Sequence, residues 1–270
     1  MTTAEMPPVM ILCGGRGTRL RDVTELLPKP LVPIGGQPIV WHIMKSYAAY
    51  GVRRFILCLG YKKEEFIDYF LNYRARRGDI TIHPGGRPEI FYHSDDVEND
   101  WEITLADTGL ETMTGGRIRR AACRLAPDNR EFFLTYGDGV CDVNIAELLD
   151  FHHRAGAAIT VTAVHPEGRF GELGFDGDRV ARFCEKPPRS AGYINGGFMV
   201  LRREVIDRFI PENDCFFEQQ PILSAVAAGE VAAFRHEGFW QCMDTPREHQ
   251  LLNDLWHSGD APWSRAWSSR

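Results

Sequence analysis

Several signatures are missing from this 270-residue chain, and each absence removes a class of function. Seven cysteines, an odd number, lie scattered at positions 13, 58, 123, 141, 184, 215 and 242 without a CxxC pair. Neither a disulfide framework nor a zinc knuckle is indicated, and a reducing compartment is the expected setting. The nine histidines include no HxH or HExxH arrangement, and the neighbours His152 and His153 on a predicted helix point in different directions; they are read as surface or core residues. No segment approaches the ~18 apolar residues that span a bilayer, and the first eight residues lack the basic and apolar parts of a signal peptide. A soluble, cytoplasmic protein that avoids membranes is expected. Positive charge is not in excess: 31 Lys and Arg against 37 Asp and Glu give a formal charge of −6, which argues against a nonspecific nucleic-acid binder and for a small charged ligand. With no GxSxG elbow and no cysteine beside a basic residue, covalent nucleophilic catalysis has little support.

What is present organises itself around residues 9–33, VMILCGGRGTRLRDVTELLPKPLVP. An apolar run ends abruptly in Gly14 and Gly15, as a buried strand does when it enters a turn in an α/β sheet, and ligands bind at such strand carboxyl ends. Gly14, Gly15 and Gly17 clear space for a phosphate to approach backbone N–H groups, while Arg16, Arg19 and Lys29 bring positive charge. The prolines on both sides of Lys29 restrict its backbone and present the ammonium from a stiff segment. The loop reads as a polyphosphate cradle. Its GxGxxG imitation fails at the third glycine, which is Leu20, and no Gly-Lys-Ser/Thr follows.

Periodicity then predicts helix over 39–50, strand over 53–59, helix over 62–73 and a third strand over 79–83, a βαβαβ half-unit. Residues 84–114, polar and broken by short strand-like pieces at 89–92 and 103–105, are expected to form an excursion covering the site. Gly115 and Gly116 open a predicted helix over 117–125 whose N-terminus is suited to face an anion. A strand over 131–136 leads into Gly137-Asp138-Gly139, a carboxylate where a divalent ion is expected. Asn144 with Glu147 resembles a capping box for a helix to about Ala155, followed by a strand over 158–164. A smaller mixed sheet is expected from 170–175, 180–184 and 197–201, then helices over 203–209 and 218–228, strands over 230–235 and 239–243, a helix over 246–257, and a surface tail over 258–270.

Asp138 and Asp244 each follow an apolar run and together suit Mg²⁺. Spacing alone leaves open that Asp138 is a turn residue and Asp244 a helix N-cap. Glu185-Lys186 and Asn195-Gly196 can grip a polyhydroxylated phosphate ester or simply make turns. A dinucleotide-dependent oxidoreductase is a second reading, and a catalytically silent ligand-binding relative a third.

LCGGRGTRL followed by PKPLVPIGGQPI resembles the signature of the sugar-phosphate nucleotidyltransferases, and MTGGR, INGGF and GFWQ-MDT resemble the branch that uses CTP and glucose 1-phosphate. The resemblance covers residues 9–263. It implies an α/β fold with a Rossmann-like, mixed, mostly parallel sheet flanked by helices and a smaller sugar-binding subsheet. A single domain over 1–263 would comprise a nucleotide-binding core (9–165), a sugar-phosphate lobe (166–245) and a C-terminal helix (246–263), with 264–270 a tail. The implied reaction joins CTP and α-D-glucose 1-phosphate to give CDP-glucose and pyrophosphate, with Mg²⁺ as cofactor; UTP or dTTP, or another sugar 1-phosphate, is the competitor. By position, Leu12, Cys13, Gly14, Gly15, Arg16, Gly17, Thr18, Thr112, Arg117 and Gly137 would hold the nucleotide. Arg19 and Lys29 would act on the pyrophosphate and the reacting phosphates, Asp138 and Asp244 would bind the metal, and Glu185, Lys186, Asn195 and Gly196 the sugar phosphate. A homo-oligomer is implied as well.

Overall fold

The computed structural model describes residues 5–17, 26–86, 89–93, 98, 100–166, 172–184, 192–212 and 214–268. Its centre is β1 (Val9–Leu12), buried on every residue and paired in parallel on both edges. One neighbour is β2 (Arg54–Leu59), reached through helix α1 (Ile39–Ala48). Helix α2 (Lys63–Leu71) leads on to β3 (Glu102–Asp107), parallel to β2. Helix α3 (Thr114–Ala121) precedes β4 (Glu131–Tyr136), the other neighbour of β1. A short strand β5 (Gly139–Cys141), helix α4 (Ile145–Ala155) and β6 (Ile159–Val164) follow, then β7 (Ile194–Asn195) and β8 (Met199–Arg202). The chain ends in α5 (Val205–Phe209), α6 (Gln220–Ala227), β9 (Val231–His236), β10 (Trp240–Cys242) and α7 (Pro246–His257).

The main sheet has the order β7-β6-β8-β4-β1-β2-β3, with β9 parallel to β6. Strand β8 is antiparallel to both β6 and β4, which makes the sheet mixed but mostly parallel. Runs such as VMIL and FILCL are continuous rather than alternating because helices cover both faces. Val9, Ile11, Phe55 and Leu57 point to one face with Ile39, Ile43 and Tyr47 of α1; Met10, Ile56 and Leu134 point to the other with Ile118 of α3. Among the described residues no helix is long and apolar enough to cross a membrane.

Four expectations change. The third parallel strand is β3, not 79–83: Ile80–His83 instead pairs with Glu89–Tyr92 in a separate, exposed hairpin, while β3 alone has the register to extend β2. Glu172–Asp176 and Arg179–Cys184 form a two-stranded hairpin, whereas 199–202 enters the main sheet rather than a smaller one. Helix α3 begins at Thr114, before Gly115 and Gly116, and the anion at its N-terminus is the protein's own: the Asp214 carboxylate accepts from Met113 N at 2.9 and 3.0 Å. The expected surface tail is packed, with a 3₁₀ helix over Pro262–Ser268 and Trp263 only 1% exposed against the core of α1. Its Ser content reads as solvent-facing; its tryptophans decide otherwise.

Trp263 Nε1 donates to Nδ1 of His42 at 3.2 Å, and Nε2 of the same ring donates to the Ile34 carbonyl at 2.9 Å. His42 is thus neutral and fully enclosed, and burial pushes its pKa down to about 4. In the unfolded chain the same imidazole takes up its proton near pH 6.5. Between pH 6.5 and 4 the unfolded state therefore binds a proton that the folded state refuses, so this contribution is complete above pH 6.5 and lost as pH falls towards 4. The difference is on the order of 3 kcal/mol. Urea midpoints measured across that range should fall less steeply for His42→Gln than for the wild type; parallel curves would remove His42 from the acid response.

Candidate active site

The register of the central strands gathers their carboxyl ends on one level, because Leu12 lies opposite both Cys58 and Tyr136. There the chain opens a cavity of about 510 Å³ walled by residues 12–17, Lys29, Pro30, residues 110–114, Arg117, residues 136–138, Phe216 and Asp244. Open α/β sheets place ligands at such strand ends.

Asp138 and Asp244 arrive by an element no spacing rule announces. β10 pairs antiparallel with β5, Cys242 opposite Gly139, and Met243 N donates to the Asp138 carbonyl at 2.8 Å. The ribbon thereby sets both carboxylates at its same end. Asp244 is not the N-cap of α7: Thr245 is, in a capping box with Glu248, whose carboxylate also accepts from Asp244 N at 2.7 Å. The Asp244 backbone is pinned and its side chain left to turn inward.

Between the two carboxylates sits Lys29. Its Nζ donates to Asp138 Oδ2 at 2.5 Å and to Asp244 Oδ1 at 2.6 Å. Burial works against this charge, but the attraction and hydrogen bonds of Asp138 and Asp244 outweigh it and hold the ammonium pKa above the usual lysine value. Two hard oxygen donors converge at the cavity floor around a point already occupied by positive charge, which is the donor set a divalent ion of the Mg²⁺ type takes.

Arg117, expected to hold the nucleotide, spends its guanidinium inside the protein. Nη1 donates to the Leu59 and Gly109 carbonyls and to Thr108 Oγ1, and Nη2 to the Gly14 and Leu110 carbonyls, at 2.8–3.2 Å. The four N–H groups on those nitrogens are committed. Gly14 and Gly60 are glycines for this reason: a Cβ would lie 2.1 Å from Cζ of Arg117 at the first and 2.4 Å from Nη1 at the second. Arg117 thereby ties the ends of β1, β2 and β3 together under the glycine loop. Thr112 is similarly engaged, its Oγ1 accepting from Arg120 at 2.7 Å.

The sequence profile described as Nucleotidyl transferase matches residues 8–241 of this chain. The chain belongs to the nucleotidyl transferase family. This nucleotidyl transferase is 46% identical over 255 residues to the glucose-1-phosphate cytidylyltransferase of Salmonella typhi, covering 94% of this chain and 97% of that one. It is 40% identical over 261 residues to a probable glucose-1-phosphate cytidylyltransferase of Bacillus subtilis (strain 168), covering 94% and 98%. In fold it resembles the crystal structure of HddC from Yersinia pseudotuberculosis, with a TM-score of 0.65 at 23% identity, over 93% of this chain and 100% of that one.

Of the expected site residues, the nucleotidyl transferase brings Leu12, Cys13, Gly14, Gly15, Arg16, Gly17, Lys29, Thr112, Arg117, Gly137, Asp138 and Asp244 to one cavity. Arg16 pairs with Glu111 across the mouth, both well exposed, so this contact orients more than it stabilises. Cys13 is buried, and burial, the largest cause, pushes its thiol pKa up, which leaves its backbone as the useful part. Thr18, Arg19, Glu185 and Lys186 lie outside the described residues. Asn195 and Gly196 are not in the cavity wall: the Gly196 carbonyl accepts from Trp240 Nε1 at 2.7 Å, and Asn195 Oδ1 accepts from Gly197 N at 3.0 Å.

Tyr136 and Phe216 are among the wall residues that escape sequence reasoning. Tyr136 closes β4 immediately before Gly137, a strand-end position that signals a site, and its hydroxyl donates to Glu218 at 2.7 Å. Phe216, 43% exposed on the cavity rim, carries no local signal, because it arrives from a loop that docks on α3 only in three dimensions, through Gly115 N to the Cys215 carbonyl at 2.9 Å.

Proposed function

We propose that this nucleotidyl transferase joins CTP and α-D-glucose 1-phosphate to form CDP-glucose, releasing pyrophosphate. The observation that carries the chemistry is the Lys29, Asp138 and Asp244 cluster at the floor of a glycine-walled cavity; the choice of substrates follows the Salmonella and Bacillus relatives, which match nearly end to end. The sugar phosphate oxygen attacks the α-phosphorus in line, and a phosphate nucleophile needs little proton transfer. Mg²⁺, held by Asp138 and Asp244, would neutralise charge on the transferring phosphate. Backbone N–H groups of 14–17 cradle the departing phosphates, Lys29 meets the reacting ones, and Arg117 holds the loop in place from below. Arg19 on pyrophosphate, and Glu185, Lys186 and Asn195 on the sugar phosphate, complete the assignment by resemblance.

A dinucleotide-dependent oxidoreductase is not favoured. It needs a carboxylate at the end of the second strand, where Gly60 stands with the Arg117 guanidinium filling the adjacent space. A panel crossing four nucleoside triphosphates with several sugar 1-phosphates, read by pyrophosphate release, tests the proposal. CTP with glucose 1-phosphate should lead, chelation with EDTA should abolish release and added Mg²⁺ should restore it. Preference for UTP or dTTP would overturn the base assignment, and full activity in EDTA the metal.

A further inference from the structure

Lys29 occupies the place a metal would take. Its backbone is fixed in the turn Lys29–Leu31, closed by Leu31 N to the Pro28 carbonyl at 2.8 Å and flanked by two prolines. Its four-carbon stem retains rotatable bonds. The ammonium at the end of that stem contacts one oxygen of each carboxylate, and the side chains of the three groups are 10%, 33% and 17% exposed. A divalent ion bound by the same two carboxylates would face the ammonium at contact distance, where two cations repel strongly in a partly buried setting.

We infer that Lys29 is the resident counter-ion of Asp138 and Asp244, and that it leaves them when a divalent ion binds. The exchange has two uses. Without metal, the ammonium keeps two carboxylates aligned that would otherwise repel each other. With metal, the same ammonium is released beside the glycine loop, where a phosphate is its natural partner; this last use rests on the proposed reaction, the exchange itself does not. A metal–triphosphate complex satisfies both sides of the exchange at once, supplying the carboxylates with a cation and Lys29 with an anion. Free metal satisfies one side only and competes with Lys29, so metal and nucleotide bind with positive coupling.

The test is Mn²⁺ binding to the full-length protein without nucleotide, at fixed pH, followed through the electron paramagnetic resonance of free Mn²⁺. Lys29→Met should bind at least about tenfold more tightly than the wild type, the factor expected on removing a competing contact charge. Adding Asp138→Asn should abolish the gain. Equal or weaker binding by folded Lys29→Met overturns the inference, with Lys29→Gln taking its place if the first variant lacks a native circular dichroism spectrum. The wild type supplies an independent readout: reductive methylation of Lys29, mapped by mass spectrometry, should rise several-fold at saturating Mn²⁺, and unchanged labelling there would also overturn it. Neither readout involves turnover. A protein that exchanges as stated yet releases no pyrophosphate from any substrate pair would sink the proposed reaction and leave the exchange standing.

Discussion

Lys29→Ala is expected to lower kcat/KM for pyrophosphate release on the order of 10²-fold or more, the scale seen when a preorganised charge beside a transferring group is removed. Two effects combine. The ammonium no longer reaches the reacting phosphates, and Asp138 and Asp244, set by the β5–β10 ribbon at one point, face each other without the cation that holds them at 2.5 and 2.6 Å. Truncating one partner of a buried charge cluster leaves the others uncompensated, which typically destabilises by about 3–5 kcal/mol when burial is complete and by less here, where Asp138 is one-third exposed. Activity and stability must therefore be read together. Thermal denaturation of Lys29→Ala should show a lowered midpoint that Mg²⁺ raises more than it raises that of the wild type, while kcat/KM stays depressed at saturating Mg²⁺. Wild-type turnover in the variant would take Lys29 out of the chemistry. Asp138→Asn should lose the activity that Mg²⁺ supports, and an unchanged Mg²⁺ dependence would count against Asp138 as a ligand.

How far these residues were legible before any fold depended on whether their meaning was local. The run VMIL into Gly14, the strand over 131–136 and the helix after Asn144 follow from near neighbours, and Asn144 does accept from Ala146 N and Glu147 N at 3.1 Å. Lys29 was legible as a stiffly mounted charge because prolines act on adjacent backbone, and Asp138 and Asp244 as carboxylates after apolar runs, but not the pairing of the three, since the two carboxylates lie far along the chain and meet only through the pairing of β5 with β10. The strand over 80–83 and β3 carry comparable local patterns; the long-range register with β2 separates them. The last segment misled for a similar reason. Trp267 and Trp263 stand among serines, and their respective partners, Trp41 and His42 with ring centroids 5.5 and 6.0 Å away, belong to α1 at the opposite end of the sequence. Arg117 sits among other arginines on α3, and composition alone cannot distinguish a guanidinium that faces a ligand from one buried under a loop.

That distinction makes Arg117 the second large expectation. Arg117→Met should lower the free energy of unfolding by about 3 kcal/mol in the absence of any nucleotide, because it removes five hydrogen bonds made by a buried guanidinium: the Gly109 and Leu110 carbonyls lose this donor, while those of Gly14 and Leu59 keep only Tyr61 N and Thr108. kcat/KM should fall with it, since the glycine loop loses its floor. Arg117→Lys should recover only part of either quantity: an ammonium offers three donors from a single point and cannot fork between acceptors that belong to three strand ends. A direct grip on the nucleotide would behave differently, raising KM for CTP in Arg117→Lys with denaturation of the free protein unchanged, and that result would restore Arg117 to the binding residues. Gly14→Ala supplies the geometric control. In the wild type its Cβ would meet the guanidinium at 2.1 Å and should destabilise, whereas in an Arg117→Met background the same Cβ meets a flexible thioether that can move aside. The penalty for Gly14→Ala should therefore be smaller in the double variant than in the single one, a non-additivity that residues without contact do not show. Equal penalties in both backgrounds would mean that the glycine is kept for something other than the arginine beneath it.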